Sequence, residues 1–188
     1  MPKHVYKKRD ITDLILLAQN GETKALEELI RRVQKQIFAM FSHLTDKRND
    51  IADLTQETLL KMAKSLPQLK EPKTFKTWLN RIVTNVFYDY ARKNSNKLVD
   101  FDMEKLNEIK DKIGCEPGEK CLFSEIEKLI KAALMTLPQN LRITLVLREY
   151  EGLSYEDISK ITNTTLGTVK SRISRARLKL QEELREFI

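Results

Sequence analysis

Cysteine and histidine are scarce in this chain of 188 residues. Its two cysteines, Cys115 and Cys121, are too few for a disulfide scaffold, and their spacing is looser than that of common zinc sites. We interpret them either as incidental or as a thiol switch. The two histidines, His4 and His43, are isolated, and neither a glycine-rich phosphate loop nor a paired-carboxylate motif is present. We therefore expect no enzyme activity, no cofactor and no metal site.

Long apolar runs are also missing from the chain. The longest early run spans residues 14–18, which is far too short to cross a bilayer. The basic start of the chain, MPKHVYKKRD, is not followed by an apolar stretch of the length that a signal peptide needs. These features predict a soluble, cytoplasmic protein that does not insert into a membrane.

Glycine and proline are sparse, with five residues of each, and alternating strand-like runs are absent. The predicted fold class is therefore all-α. We predict helices over residues 11–19, 23–44, 50–66, 74–95, 123–136, 139–150, 155–161 and 165–186. Gly114, Pro117 and Gly118 mark a connector, which divides the chain into two small helical domains.

The formal net charge of +7 is unevenly distributed along the chain. Residues 1–97 carry 19 basic and 11 acidic side chains, a net of +8. Residues 98–122 carry 4 and 7, a net of −3, and residues 123–188 carry 11 and 9, a net of +2. This pattern is typical of two domains that bind polyanions and are joined by an acidic connector, although a merely soluble basic protein can show it too.

Residues 154–180, SYEDISKITNTTLGTVKSRISRARLKL, predict two short helices joined by a tight turn. Ser154 precedes Asp157 by three residues, which is a capping-box start for the first helix. The segment 162–164 interrupts the apolar pattern, and Thr165 can cap the second helix. Together these signals predict a helix-turn-helix.

The second of these helices has two distinct faces. Its core face consists of four apolar residues at helical spacing: Val169, Ile173, Ala176 and Leu180. Its solvent face consists of Lys170, Ser171, Ser174 and Arg175. Between positions 170 and 179 there are five basic residues and no acidic one. This arrangement is typical of a recognition helix that lies in the major groove of DNA, and a solvated surface helix is the alternative.

A second basic helix is predicted within residues 70–94. Apolar residues at three- and four-residue steps indicate its core face: Phe75, Trp78, Leu79, Ile82, Val83, Val86, Phe87 and Tyr90. The remaining face carries Lys73, Lys76, Asn80, Arg81, Asn85, Tyr88 and Arg92. Basic groups interleaved with Asn and Tyr suit a strand that is held by its phosphates and read through unstacked bases. The preceding loop, residues 67–73, contains two prolines and is a candidate pocket for an extruded base.

Residues 50–66, DIADLTQETLLKMAKSL, predict a third helix with functional side chains. Its expected core residues are Ile51, Leu54, Leu59, Met62 and Leu66. Asp50, Asp53, Gln56 and Glu57 crowd one end of the same helix. The helix dipole favours acidic residues in a first turn, which is one explanation. A docking surface for a basic partner is the other.

Three segments together resemble a bacterial extracytoplasmic-function sigma factor: DIADLTQETLLKMAKSL, FKTWLNRIVTNVFYDYARK and LPQNLRITLVLREYEGLSYEDISKITNTTLGTVKSRISRARLKL. The resemblance covers nearly the whole chain outside the N-terminal tail and the connector. It implies sigma domain two over residues 1–97, a linker over residues 98–122, and sigma domain four over residues 123–188. Such factors bind core RNA polymerase and direct it to promoters. Domain two recognises and melts the −10 element, and domain four recognises the −35 element.

The resemblance also implies roles for individual residues. The clamp of the largest polymerase subunit would be bound by Asp50, Asp53, Gln56 and Glu57. The −10 element would be recognised and melted by Lys70, Lys73, Lys76, Asn80, Arg81, Asn85, Tyr88 and Arg92. The −35 element would be recognised by Thr165, Thr168, Lys170, Ser171, Arg172, Ser174, Arg175 and Arg177.

Regulation by an anti-sigma factor is a further implication of the resemblance. The acidic linker would run through the polymerase, where it either mimics nucleic acid or serves as a solvated tether. The alternative function is a two-domain helix-turn-helix transcriptional regulator that does not bind polymerase.

Overall fold

The computed structural model of the chain describes the backbone of residues 4–94 and 119–185 and the side chains of residues 6–94 and 126–185. Every regular element in these ranges is helical, which confirms the all-α prediction. The predicted linker, residues 98–122, lies outside the described residues except for its last four, which begin a helix. Cys115 and the side chain of Cys121 also lie outside them.

The N-terminal lobe comprises the described helices up to residue 94. These are α1 (His4–Lys7), α2 (Ile11–Gln19), α3 (Thr23–Ser42), α4 (Arg48–Ser65) and α5 (Phe75–Lys93), with 3-10 turns at Leu66–Gln68 and Pro72–Thr74. α4 begins before the predicted residue 50, and α3 ends before the predicted residue 44. The other boundaries in this lobe agree with the prediction to within two residues. In the rest of the chain two boundaries were predicted wrongly: the helix predicted over residues 123–136 already begins at Glu119, and the helix predicted over residues 165–186 ends at Glu183.

The core of the N-terminal lobe forms between α3, α4 and α5. Residues at four-residue spacing on α3 are almost wholly buried: Leu29, Val33, Ile37 and Phe41. They join one apolar cluster with the buried side chains of α4 and α5, including Ile51, Leu54, Met62, Phe75, Leu79, Val83 and Phe87. The predicted core faces are thus confirmed, although Leu59, Trp78, Ile82 and Tyr90 are only partly buried.

The C-terminal lobe comprises α6 (Glu119–Thr136), α7 (Gln139–Glu149), α8 (Tyr155–Thr162) and α9 (Leu166–Glu183). Its central helix is α7, in which every residue from 141 to 147 is buried. In the described parts of both lobes, no helix has the length and apolarity needed to cross a membrane. The same residues contain no cluster of three or more His, Cys, Asp or Glu side chains that could bind a metal ion.

The two lobes pack closely against each other. Their buried apolar side chains form one continuous cluster, and α5 contacts both α7 and α8. Arg142 of α7 is buried and donates a hydrogen bond of 2.7 Å to the carbonyl oxygen of Leu44 in the N-terminal lobe. The ring of His43 stacks on that of Tyr150, with 3.8 Å between centroids. The structure therefore shows a closed arrangement of the lobes.

Candidate nucleic-acid interface

The helix-turn-helix is formed by α8 and α9, and both helices are capped as the sequence predicts. Ser154 Oγ accepts a hydrogen bond of 3.0 Å from the Asp157 amide at the start of α8. Thr165 Oγ1 accepts one of 3.1 Å from the Thr168 amide at the start of α9. Between the helices, Asn163 adopts a left-handed conformation with φ of 51°, which Asn tolerates better than most residues. Local chemistry therefore fixes the turn.

The two faces of α9 are those predicted. Val169, Ile173 and Ala176 are buried, and the predicted core residue Leu180 is only partly buried. Lys170, Ser174 and Arg175 are exposed. Of the other predicted −35 residues, Thr165 is exposed, and Thr168, Ser171 and Arg172 are half-buried. Arg175 donates from Nη2 to Ser171 Oγ at 3.2 Å, so the two side chains are neighbours on the same face of the helix. The first half of α9 thus presents hydrogen-bond donors and positive charge to solvent.

Arg177, another residue predicted to bind the −35 element, pairs with a side chain of the C-terminal lobe itself. Its Nη2 and Nε atoms lie 2.6 and 3.2 Å from Glu149 Oε1, at the end of α7. This hydrogen-bonded ion pair raises the pKa of Arg177. Arg177 could contact DNA only if this ion pair broke or if Arg177 bound Glu149 and DNA together. It is therefore less available for DNA binding than Lys170 and Arg175.

Most of the predicted −10 residues are accessible. Lys70, Lys73, Lys76, Arg81, Asn85 and Arg92 are exposed along α5 and the preceding loop. Tyr88 is half-buried, and burial raises the pKa of its hydroxyl, while the charge of Arg172 acts in the opposite direction. Because Arg172 belongs to α9, this interaction links α5 to the second helix of the helix-turn-helix.

Asn80 is the exception among the residues predicted to bind the −10 element, because it is only 2% exposed. Its Nδ2 atom donates to the carbonyl oxygen of Lys76 at 3.0 Å and to Glu151 Oε2 at 3.3 Å. Glu151 lies in the turn between α7 and α8 and also accepts a 2.6 Å hydrogen bond from Gln36 Nε2. A carboxylate of the C-terminal lobe is therefore bound by two amides of the N-terminal lobe. The sequence prediction missed Glu151 and Gln36.

The loop before α5 is ordered by a residue from α2. Gln19 Nε2 donates hydrogen bonds of 2.9 and 2.8 Å to the carbonyl oxygens of Leu66 and Leu69. The sequence prediction did not include Gln19, because its partners lie 47 and 50 residues away and are backbone atoms. No side-chain pattern could have revealed this contact.

The acidic end of α4 forms a second exposed surface. Asp53, Gln56 and Glu57 are exposed, and Leu60, one turn further, is 61% exposed. Asp50 instead accepts a 2.5 Å hydrogen bond from the Tyr90 hydroxyl. Because α4 begins at Arg48, only Asp50 lies in its first turn. The helix dipole acts mainly on the first turn, so it does not explain the presence of Asp53, Gln56 and Glu57.

Comparisons with known proteins identify both lobes. Models of Sigma-70 region 2 and of Sigma-70, region 4 match residues 29–97 and 127–180. The ECF RNA polymerase sigma-E factor of Haemophilus influenzae is 32% identical over 186 residues, which cover 95% of this chain and 98% of that protein. The chain belongs to the extracytoplasmic-function sigma factor family. It is a transcription initiation factor that binds core RNA polymerase and directs it to specific promoters.

Other sigma factors are similar over most of the chain. The ECF RNA polymerase sigma factor SigE of Mycolicibacterium smegmatis is 37% identical over 161 residues, which cover 84% of this chain and 61% of that protein. The sigma factor RpoE of Bartonella quintana, solved with the anti-sigma factor NepR, is 28% identical with a TM-score of 0.65, over 88% of this chain and 99% of that one. CnrH, solved with the cytosolic domain of CnrY, has the same TM-score at 22% identity and supports the fold alone.

Proposed function

We propose that this sigma factor reads the −35 element with α9. The observation that carries the proposal is the division of that helix into two faces. Val169 and Ile173 are buried in the lobe, and Lys170, Ser174 and Arg175 project from the other side. A capped helix with a polar, basic face at its N-terminal end fits the major groove, where side chains of this kind bond to base edges and phosphates.

The −10 element is read and melted by α5 and the loop before it, residues 66–74. Lys73, Lys76 and Arg81 are exposed and can neutralise phosphates, so binding should weaken steeply with salt. Asn85 and Tyr88 lie along the same helix and can contact unpaired bases. Domain two over residues 1–97 would include this surface, and domain four over residues 123–188 the −35 surface.

Polymerase binding uses the exposed surface of α4. Asp53, Gln56 and Glu57 provide hydrogen-bond acceptors and negative charge for a basic partner, the clamp of the largest subunit. Leu60 supplies an exposed apolar side chain beside them, of the kind that becomes buried at a protein interface. Asp50 supports this surface through its bond to Tyr90 rather than through direct exposure.

The lobes separate when the promoter is bound. In the closed arrangement, Asn80 donates to Glu151 and is covered, so it is not free to contact a base. Polymerase would supply the free energy of separation, because it binds each lobe and fixes both at the spacing of the promoter elements. The polymerase performs the chemistry, and the sigma factor contributes positioning and sequence discrimination in the cytoplasm, where both partners would be located.

An anti-sigma factor is the expected regulator. Support comes from the Bartonella quintana relative, which was solved in complex with the anti-sigma factor NepR. Such a partner would prevent association with core polymerase, either by covering the α4 surface or by stabilising the closed lobes.

Transcription by purified components tests the proposed function. Core RNA polymerase and this chain would be incubated with a pool of templates randomised in both promoter elements, and the transcripts would be sequenced. We expect transcripts enriched in one sequence at −35 and another at −10, with yields that fall as salt increases. A chain that binds DNA specifically but neither binds polymerase nor starts transcripts would instead be a conventional helix-turn-helix regulator.

A further inference from the structure

The loop of residues 66–74 joins α4 to α5 and lies where we place the −10 base pocket. Pro67 and Pro72 cannot donate backbone hydrogen bonds, so two of the nine loop residues contribute no backbone donor. Within it, the Leu69 amide donates to the Leu66 carbonyl at 3.1 Å. The Thr74 amide donates to the Glu71 carbonyl at 2.9 Å. Each of these bonds closes only one short turn.

Gln19 links the loop to another helix. It is the last residue of α2, and its half-buried side-chain amide donates to Leu66 at 2.9 Å and to Leu69 at 2.8 Å. Both acceptors belong to the same 3-10 turn and its C-terminal flank. One planar amide therefore fixes the relative position of two carbonyl groups in the loop.

The loop that this bridge holds has a buried side and an exposed side. The Leu66 and Leu69 side chains are buried in the apolar cluster beneath the loop. Pro67, Gln68, Lys70 and Glu71 are exposed on its outer side. The outer residues can present a defined surface to a base only while the inner ones stay in place, because recognition depends on geometry accurate to about 0.5 Å.

We propose that Gln19 is a positioning residue for base selection at the −10 element. It acts through the carbonyls of Leu66 and Leu69 and not by touching DNA. The proposal rests on the proposed function, in which this loop receives a −10 base. It predicts that loss of the bridge relaxes the choice of base at one −10 position and leaves −35 recognition by α9 unchanged.

The test compares two variants of the full chain in the polymerase holoenzyme. Gln19→Met keeps the size and flexibility of the side chain but removes both donors, and Gln19→Glu keeps the polarity but cannot donate when ionised. Asn20→Ala, which alters the neighbouring exposed amide, is the matched control. Open-complex formation would be measured on templates with each single substitution in the −10 and −35 elements. Hydrogen exchange of the loop amides would be measured in parallel.

We expect both Gln19 variants to lose discrimination at one −10 position by about fivefold or more, with faster exchange in the loop and an unchanged −35 profile. Asn20→Ala should behave like the wild-type chain. A uniform loss of activity on all templates, no change in any preference, or unfolding of both variants would overturn the proposal.

Two further variants distinguish failure of the positioning role of Gln19 from failure of the proposed function of the loop. Gln68→Ala and Lys70→Ala alter exposed loop residues directly. If they change −10 preference and the Gln19 variants do not, only the positioning role is wrong. If neither pair changes −10 preference, the loop is not the base pocket.

Discussion

Asn80 Nδ2 lies 3.3 Å from Glu151 Oε2, which joins the proposed −10 helix to the turn that precedes the helix-turn-helix. Gln36 adds a second amide donor at 2.6 Å. Glu151 is 7% exposed, so its carboxylate has lost most of its contact with water. The two hydrogen bonds compensate for that loss. In the closed arrangement, Asn80 is therefore engaged by Glu151, although the sequence analysis predicts that Asn80 binds DNA.

Glu151→Ala should open the lobes. A hydrogen bond to a charged group contributes about 1.5–3 kcal/mol, so loss of both bonds should lower the closed-to-open ratio by about a hundredfold or more. Electron-paramagnetic distance measurements between spin labels at Lys35 and Lys160, with both native cysteines replaced, would show a longer and broader distribution. Glu149→Ala is the control, because Glu149 pairs with Arg177 inside one lobe. An unchanged distribution for Glu151→Ala would contradict the role given to this contact.

Acid should weaken the fold through His43. Burial and the nearby charge of Lys131 together lower the pKa of this histidine from 6.5 to about 4, although the charge of Glu127 acts in the opposite direction. Its Nδ1 atom is buried and has no hydrogen-bond partner among the described residues. The unfolded chain therefore binds a proton more readily, and stability falls as the pH decreases from 6.5 towards 4.

His43→Phe would remove this titration and keep a ring against Tyr150. Urea unfolding at pH 7 and pH 5 should show a smaller loss of stability in the variant than in the wild-type chain. An equal loss in both proteins would mean that protonation of His43 does not govern acid sensitivity.

Alanine substitutions of Arg175 and Arg177 should have different effects on −35 recognition, although the two residues are only two positions apart. Arg175 is exposed beside Ser171, so Arg175→Ala should reduce discrimination at one −35 position by about 1–3 kcal/mol if it reads a base. Arg177→Ala breaks the pair with Glu149, and we expect a small loss of stability with little change in sequence preference. Binding of holoenzyme to single-substitution templates measures both effects. Equal weakening of all templates by Arg175→Ala would reassign that residue to the phosphate backbone.

Leu60 should be needed for polymerase binding and not for folding. Its side chain is 61% exposed, so Leu60→Glu should leave thermal unfolding nearly unchanged. The same change places a charge in the proposed interface and should weaken association with core polymerase by at least about 2 kcal/mol. Leu16→Glu, at a 46% exposed leucine of α2, is the control. Equal polymerase affinities for the two variants would place the interface elsewhere.

The features that could be predicted from the sequence are those encoded over short distances. The buried and exposed faces of α9 follow from helical periodicity, and the caps at Ser154 and Thr165 depend on neighbours three residues away. Contacts between distant polar groups leave no periodic signal. Gln19 meets carbonyls 47 and 50 residues away, and Asn80 meets Glu151 71 residues away. Such pairs depend on how helices are placed in three dimensions, which local pattern does not specify.

Arg142 illustrates the same difference within one helix. It lies in the apolar stretch LRITLVL, yet it is buried and donates to the carbonyls of Leu44, Met135 and Leu137 at 2.7, 2.7 and 2.9 Å. Burial lowers the pKa of its guanidinium to about 10, so the group stays charged at neutral pH. The sequence shows that an arginine is present in this stretch, and only the folded chain shows that it bridges the lobes.

Site-specific photocrosslinking in the holoenzyme tests the central claim most directly. Benzoylphenylalanine would replace Asn85 on α5 or Ser174 on α9, both of which are exposed, and the crosslinked bases on a promoter would be mapped. We predict crosslinks from position 85 only to the −10 element and from position 174 only to the −35 element. Crosslinks from both positions to one element, or equal crosslinking on DNA without a promoter, would contradict the account.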